Sequence, residues 1–258
     1  MNVLVTGASS GIGEALARAS AAQGDRLFLC GRDRARLEAV ASACRELGAE
    51  ARADVVDVSD EAAVRGWIES CDADSPLSRV FANAGIGTGI EDEENVRRTF
   101  ATNIGGVLNT VLPAIDVFRR RGGAGDGLRQ ILITSSIAGY GPLRACPAYS
   151  ATKACVKTWG LALRARLGRE GIKVSVICPG FVRSRLTDRN TCPMPFFMEA
   201  DRAARIILRR ADRNVGLIAF PWPMRLASWV AGAMPQRLNE LLNGMLPDKF
   251  AAGKPKML

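Results

Sequence analysis

Tyr149 and Lys153 are the residues whose types and spacing most directly suggest chemistry. On a helix, residues four apart project from the same face, one turn above the other. A neighbouring ammonium group stabilises a phenolate and lowers the tyrosine pKa from its usual value of about 10, so this pair is suited to proton transfer. Ser136, thirteen residues before Tyr149, ends an apolar run and adds a hydroxyl that can donate to a substrate oxygen.

Each of these residues also has an ordinary structural explanation. Tyr149 can be a packed aromatic residue, Lys153 a long side chain whose ammonium reaches solvent, and Ser136 a cap at a strand end. The 258 residues include no His, which excludes histidine-dependent triads, histidine metal sites and histidine acid/base steps. Proton transfer must therefore use Tyr, Lys, Asp, Glu, Cys or water, and no metal site is predicted.

Apolar strand-like runs alternate along the chain with segments of helical period, and these elements must position the site. The pattern predicts strands at 2–6, 26–31, 51–55, 78–82, 129–135, 172–178 and 215–219. It predicts helices near 11–24, 33–47, 59–72, 92–121, 147–170 and 198–211. Right-handed crossovers then give an α/β fold, a Rossmann-type doubly wound parallel sheet of about seven strands with helices on both faces.

A glycine-rich turn, residues 6–13, joins the first predicted strand to the first helix. Gly7, Gly11 and Gly13 lack the side chains that would keep a ligand from the backbone, and the following helix offers free N–H groups to a pyrophosphate. In this strand-to-helix context the turn predicts a dinucleotide site. A glycine-rich turn without a ligand is the alternative.

Taken with Asn83-Ala84-Gly85 after the fourth strand and with Asn103, these residues resemble the short-chain dehydrogenase/reductase family in order, spacing and type. The resemblance covers roughly the first 190 residues. It implies an NAD(P)-dependent oxidoreductase acting on CH–OH groups, with a hydride passing between nicotinamide and a carbonyl or secondary alcohol. The catalytic residues it implies are Asn103, Ser136, Tyr149 and Lys153, with Asn103 holding a water that links Lys153 to solvent. Ser135 is the alternative serine.

The resemblance also implies a set of cofactor-binding residues along the carboxyl ends of the strands. These are Gly7, Ser9, Ser10, Gly11, Ile12, Gly13, Arg32, Asp57, Val58, Asn83, Ala84, Gly85, Tyr149, Lys153, Pro179, Gly180, Val182 and Ser184. Asp57 and Val58 resemble the adenine-binding pair, and Pro179 to Ser184 the loop that contacts the nicotinamide carboxamide. A helix-capping acid at Asp57 is the alternative.

The end of the second strand indicates which cofactor is preferred. An acidic residue there binds the adenosine ribose, whereas an Arg accommodates a 2′-phosphate. Cys30 and Gly31 are not acidic and Arg32 follows them, so NADP(H) is predicted over NAD(H), which stays possible. Asp33 complicates this prediction, and we interpret it as a cap on the next helix.

Residues 1–220 are predicted to form the catalytic domain, with a substrate loop at 185–200 and a helical extension of the same domain at 221–258. The loop carries an apolar cluster that suits a lid over a partly apolar carbonyl or alcohol substrate, or else an anchor to the core. The cluster is Pro193, Met194, Pro195, Phe196, Phe197 and Met198. The extension, with short helices broken at Pro235 and Pro247, can pack on the domain, complete a subunit interface or lie on a membrane, in that order of preference.

Composition favours a cytoplasmic enzyme without nucleic-acid or membrane partners. Seven scattered Cys without a Cys-x-x-Cys motif indicate reduced thiols, and the N-terminus has the pattern of a strand, not of a signal peptide. The net charge of +9 is spread along helices without interleaved aromatic residues. A homodimer or homotetramer is expected through helices 92–121 and 147–170. A non-catalytic dinucleotide-binding regulator and a peripheral-membrane reductase of a lipid-like substrate are the alternative functions.

Overall fold

The described residues, 1–121, 127–188 and 193–245 of the computed structural model, form a parallel sheet of seven strands. These are β1 (Asn2–Thr6), β2 (Arg26–Gly31), β3 (Ala51–Val55), β4 (Arg79–Ala82), β5 (Gln130–Thr134), β6 (Lys173–Pro179) and β7 (Leu217–Phe220). Their order across the sheet is β3-β2-β1-β4-β5-β6-β7. The order changes direction between β1 and β4, and the crevice at such a point is where open α/β sheets bind ligands. The predicted Rossmann-type sheet is confirmed.

Helices cover both faces of the sheet. They are α1 (Gly11–Ala21), α2 (Arg34–Glu46), α3 (Glu61–Asp74), α4 (Glu93–Phe100), α5 (Gly106–Arg120), α6 (Pro147–Leu167), α7 (Ala200–Asp212), α8 (Trp222–Ala233) and α9 (Gln236–Met245). Apolar side chains of α1, α2 and α7 pack into one core and those of α3, α5 and α6 into another. Because the central strands are buried on both faces, they are almost continuously apolar.

Local sequence signals explain where several helices begin. Asp33, Asp60 and Asp92 each accept a hydrogen bond from the third backbone N–H beyond them, which satisfies a free donor of the first turn. For Asp33 the donor is the Arg36 N–H at 3.0 Å, so its predicted capping role is confirmed. Predicted element ends agree with the observed ones to within about three residues, the usual uncertainty at frayed termini.

The predicted single helix at 92–121 is wrong in one respect. Between α4 and α5 the chain forms a π-helical segment, Ala101–Gly105, which contains Asn103. The wider turn follows from tertiary contacts that helical periodicity does not reveal, and such segments are frequent at functional sites. Gly106 then approaches Val58 so closely that a Cβ on it would lie 2.5 Å from a Val58 methyl carbon.

The region after β7 contains the two helices α8 and α9, separated at Pro235 as predicted. The predicted break at Pro247 lies outside the described residues, as do 246–258 of the extension, 189–192 of the substrate loop and 122–126 of a glycine-rich connection. Within the described ranges, no helix is both long enough and apolar enough to cross a membrane.

Candidate active site

A cavity of about 720 Å³ opens at the carboxyl ends of the central strands. Most of the residues predicted from the sequence line it. They are Gly7, Ser9, Ser10, Gly11, Ile12, Arg32, Asp57, Val58, Asn83, Ala84, Gly85, Ser136, Tyr149, Lys153, Pro179, Gly180, Val182 and Ser184. Gly13 and Asn103 are not in the lining, and both support it from behind.

The turn between β1 and α1 needs glycine for two physical reasons. Gly7 and Gly11 have φ of +67° and +59°, which residues with a Cβ rarely adopt. A Cβ on Gly7 would lie 2.8 Å from the Ala84 Cα, and a Cβ on Gly11 would lie 2.8 Å from the Ser184 Cβ. The turn therefore leaves backbone, not side chains, facing the cavity at the start of α1, where the first helical N–H groups lack intrahelical partners.

Asn83 fastens this turn to the neighbouring strands. Its side-chain amide donates to the Thr6 carbonyl at 3.1 Å, and its amide oxygen accepts from the Thr134 hydroxyl at 3.2 Å. The backbone N–H groups of Asn83 and Ala84 both donate to the Thr6 hydroxyl, at 3.0 and 3.1 Å. One polar side chain thus links β1, β4 and β5 directly beneath the cavity.

Two arginines and two aspartates lie at the end of the cavity next to β2. Arg32 and Asp57 approach to 3.8 Å, and Arg36 pairs with Asp33 at 2.8 Å. Partial burial of Asp57 disfavours its charged form, but two hydrogen bonds from Ser59 and the charge of Arg32 outweigh this effect and lower the Asp57 pKa. All four charged residues line the cavity.

Ser136 and Tyr149 both line the cavity, and the Ser136 hydroxyl interacts with the Tyr149 side chain in the sense that lowers the Tyr149 pKa. The Ser136 hydroxyl also accepts from the Ala138 N–H at 3.1 Å and lies 3.5 Å from the Pro179 carbonyl. Ser135, the alternative serine, instead donates its hydroxyl to the Lys153 backbone carbonyl at 2.7 Å. The geometry therefore pairs Tyr149 with Ser136, the serine that the spacing favours.

Lys153 is buried, with 3% of its surface exposed, and its ammonium lies 5.7 Å from the centre of the Tyr149 ring. The ammonium donates to the Thr134 carbonyl at 3.0 Å. Burial lowers the Lys153 pKa from 10.5 to about 8, since the charged form loses solvation. Burial also raises the Tyr149 pKa to about 12, an effect that the Ser136 hydrogen bond offsets only in part. Burial therefore shifts the Tyr149 pKa in the direction opposite to the one expected from the sequence.

Asn103 lies behind the cavity, fully buried in the π-helical segment. Its amide oxygen accepts from the Ile86 N–H at 2.8 Å, and its amide nitrogen donates to the Ile86 carbonyl at 2.9 Å. It also donates to the Thr152 hydroxyl at 3.2 Å. A Cβ on Gly85 would lie 3.2 Å from both the Asn103 amide oxygen and the Lys153 ammonium. A glycine at position 85 therefore keeps the space between these two groups open.

The loop after β6 is partly anchored and partly exposed. Val182 and Met198 form a parallel β-bridge, and Met198, with 8% exposure, belongs to the core. Phe196 and Phe197 are instead 58% and 37% exposed, and the Arg183 guanidinium lies 5.3 Å from the centre of the Phe197 ring. Of the predicted apolar cluster, Met198 is an anchor, whereas the two phenylalanines lie outside the cavity lining.

A family model for short chain dehydrogenases matches residues 1–193, three quarters of the chain. The chain belongs to the short-chain dehydrogenase/reductase family. An uncharacterized oxidoreductase of Myxococcus xanthus is 36% identical over 243 residues, which cover 91% of this chain and 93% of the relative.

Solved structures place this short-chain dehydrogenase/reductase among proteins that bind nicotinamide cofactors. A short-chain dehydrogenase from Sphingobium yanoikuyae in complex with NADPH is 26% identical, with a TM-score of 0.77 and 98% of each chain covered. A 3-ketoacyl-(acyl-carrier-protein) reductase from Brucella melitensis complexed with NADH is 27% identical, with a TM-score of 0.74 over 84% of this chain and 95% of that one.

The cavity of this short-chain dehydrogenase/reductase includes residues that sequence reasoning missed. Arg36 stands four residues after Arg32, and Thr187 three residues after Ser184. The Thr187 hydroxyl accepts from the Ser184 N–H at 2.9 Å and donates to the Val182 carbonyl at 3.0 Å, which fixes the loop beside the glycine-rich turn. Both residues could have been predicted from their spacing, because Arg36 lies one helical turn after Arg32 and Thr187 lies one tight turn after Ser184. Arg98 of α4 also lines the cavity, and no such spacing relates it to a predicted site residue.

Proposed function

We propose that this enzyme reduces a carbonyl group of a small, partly apolar molecule to a secondary alcohol, with NADPH preferred and NADH possible. One observation carries the proposal: Ser136, Tyr149 and Lys153 line the same cavity, with the buried Lys153 ammonium 5.7 Å from the centre of the tyrosine ring. These groups provide a proton donor, a second hydroxyl for the substrate oxygen and a nearby positive charge, which is what a carbonyl reduction requires.

The cavity fits a dinucleotide. Gly7 and Gly11 leave a cradle that a Cβ would fill, next to the free N–H groups of α1. We assign the pyrophosphate to this turn, the adenine to Asp57 and Val58, and the nicotinamide to the segment from Pro179 to Ser184. Arg32 and Arg36 supply two guanidinium groups at the end of the cavity where a 2′-phosphate would lie, and this charge supports the NADPH preference. The similar protein from Sphingobium yanoikuyae, solved with NADPH, supports it too.

A nicotinamide cofactor held in this cavity would supply the hydride that the carbonyl carbon takes up. Tyr149, whose pKa is raised to about 12, is protonated at neutral pH and donates the proton that the forming alkoxide needs. Ser136 donates a hydrogen bond to the same oxygen once its contact with Tyr149 is exchanged for the substrate. Lys153 stabilises the tyrosinate left behind and holds the nicotinamide ribose. With its pKa lowered to about 8, it carries this charge at neutral pH and loses it in moderately basic solution.

Asn103 and Asn83 act by positioning. Asn103 holds Ile86 and Thr152 in place beside Lys153, and we propose that the gap above Gly85 admits the water that links Lys153 to solvent. Asn83 ties the cofactor turn to β4 and β5. We propose that residues 1–220 form the catalytic domain and that 221–258 extend it, since α8 packs against β7 and against the 3₁₀ turn that follows Ser136.

The substitution Tyr149→Phe tests the proposed reaction. It removes the hydroxyl and keeps the ring, so turnover of ketones should fall by at least about 100-fold while NADPH binding, followed by cofactor fluorescence, stays unchanged. Tyr140→Phe is the matched control, because Tyr140 is the other of the two tyrosines in the chain and does not line the cavity. If Tyr149→Phe keeps turnover within a few-fold of wild type, Tyr149 is not the proton donor.

A further inference from the structure

One face of α8 is apolar and exposed. Trp222, Leu226, Trp229 and Val230 are 73%, 52%, 60% and 40% exposed. Their spacing of four, seven and eight residues from the first places all four side chains on one side of the helix. Two large aromatic rings with most of their surface in water are unfavourable for a protein surface that contacts water alone. We call these four residues the α8 face.

The opposite side of α8 is closely packed, so the exposed side is presented by a fixed helix. A Cβ on Gly232 would lie 2.0 Å from the Tyr140 carbonyl oxygen, which shows how near the two backbones are. At the other end of the helix, the Met224 sulfur lies 3.1 Å from where a Cβ on Gly180 would be. Both contacts are with segments that also border the active site, the turn after Ser136 and the end of β6. The α8 face therefore lies at the same edge of the sheet as the cavity opening.

Arg225 is the charged residue of α8. Along the chain it is flanked by Asp212 and Arg213 on one side and by Arg237 and Glu240 on the other, and these five residues together carry one positive charge. The whole chain carries a net charge of +9. A second copy of the chain would bring the same positive charge to this surface, which disfavours association between two such faces. An anionic lipid surface supplies the opposite charge and an apolar layer beneath it.

We propose that the α8 face binds the surface of an anionic lipid bilayer, with Trp222 and Trp229 inserted at the level of the headgroups. Tryptophan is favoured at that depth because one part of the ring system is apolar and its N–H can meet water. Arg225 is exposed on the same helix and interacts with the Tyr140 side chain, and in the bound state its guanidinium contacts lipid phosphate. The helix lies in the plane of the membrane interface. Because lipid binding does not require catalytic turnover, it can be tested independently of the proposed reaction.

Co-sedimentation of the full-length protein with vesicles tests the proposal. Vesicles of phosphatidylcholine mixed with phosphatidylglycerol should bind the protein, and vesicles of phosphatidylcholine alone should bind it more weakly. The double substitution Trp222→Ser and Trp229→Ser should weaken binding by at least about tenfold, since it removes most of the inserted apolar surface. Tryptophan emission of the wild type should shift to the blue when vesicles are added, and the double substitution should abolish this shift. The other two of the four tryptophans, Trp67 and Trp159, remain in the variant and should not produce it.

The control is the double substitution Leu47→Ser and Val55→Ser, which removes two apolar side chains of 51% and 44% exposure far along the chain from α8. It should leave vesicle binding unchanged. Thermal midpoints and NADPH binding of each variant establish that the fold is kept. Absence of binding to anionic vesicles, or binding that the tryptophan substitutions leave unchanged, overturns the proposal. The wild type could instead be an oligomer that does not bind vesicles and that the tryptophan substitutions dissociate, as light scattering would show. In that case a second copy of the chain, not a lipid surface, covers the α8 face.

Discussion

At the scale of single residues, Arg32 is held by a weak ion pair that a phosphate can replace. It is 58% exposed and 3.8 Å from Asp57, so this pairing contributes little to stability. A 2′-phosphate offers more acceptors and a larger negative charge than one carboxylate. Arg36 is already engaged with Asp33 at 2.8 Å. Of the two arginines, Arg32 is therefore the one freer to turn toward a ligand.

Arg32→Ala should weaken NADPH binding by roughly 10- to 100-fold, the 1.5–3 kcal/mol typical of a charge-assisted hydrogen bond, and should leave NADH binding nearly unchanged. Fluorescence titration with both cofactors measures this. Arg97→Ala is the control, because Arg97 is an exposed arginine paired with Glu93 on α4. Equal losses for both cofactors would show that Arg32 does not contact the 2′-phosphate.

The buried Lys153 makes stability depend on pH. The Lys153 pKa is about 8 in the folded chain, and its ordinary value of 10.5 applies to the unfolded chain. At a pH between these two values, the unfolded chain therefore binds more protons than the folded chain. The free energy of unfolding contributed by this group therefore rises with pH across that window. Relative to Lys153→Met, the cofactor-free wild type should gain up to about 3 kcal/mol between about pH 7.5 and about pH 10.5, as urea titrations would measure. A difference that stays constant with pH would mean that Lys153 is not desolvated.

At the scale of elements, the loop after β6 combines an anchored end with exposed aromatic side chains. Met198 holds it to Val182 and to the core, while Phe196 and Phe197 remain largely in solvent. An exposed phenylalanine pair beside a cavity is available to close over a ligand, and segments that move in this way come from the less stable parts of a fold.

Backbone amides at 181–188 and 193–198 should exchange with solvent quickly in the free protein and slow down when NADPH and a substrate analogue bind. Phe196→Ala and Phe197→Ala should raise KM several-fold for bulky apolar ketones and less for small ones, because the lid contacts only the larger molecules. Leu47→Ala, at a residue with 51% exposure directly after α2, is the control. Equal protection with and without ligand, together with unchanged substrate preference, would assign these residues to anchoring alone.

At the scale of the whole molecule, α4 and α5 each leave a large apolar side chain uncovered. Phe100 and Leu112 are 41% and 46% exposed, although Val111 and Ala114, beside Leu112 on α5, pack into the core. A second subunit that packs against these helices would bury them. This surface is separate from the α8 face, so subunit association and lipid binding are compatible.

The protein should be a homodimer or homotetramer by light scattering at micromolar concentration. Phe100→Glu and Leu112→Glu together should shift it toward the monomer, because each places a charge in the apolar centre of the interface. The change Leu47→Glu, at an exposed leucine at the end of α2, should leave the assembly intact. A wild-type monomer under these conditions would exclude the predicted interface.

The sequence by itself determined the fold, and all but two of the residues that it predicted for the site, Gly13 and Asn103, line the cavity. Parallel strands place their carboxyl ends at one edge of the sheet, so residues that follow different strands, such as Gly7, Asn83, Ser136 and Pro179, must meet there. The role of Gly7 and Gly11 also followed from the sequence, because few residues other than glycine adopt the positive φ that such a turn requires. These features depend on local spacing and on strand order, both of which are visible in a pattern of residue types.

Only the tertiary structure decided the features that depend on burial and on contacts between distant residues. The π-helical segment at Asn103, the opposite pKa shifts of Tyr149 and Lys153, and the exposure of the α8 face are of this kind. From sequence, Lys153 adjacent to Tyr149 predicts a lower tyrosine pKa. In the folded chain desolvation is the largest cause of both shifts, because the same residues that build the cavity also exclude water from it.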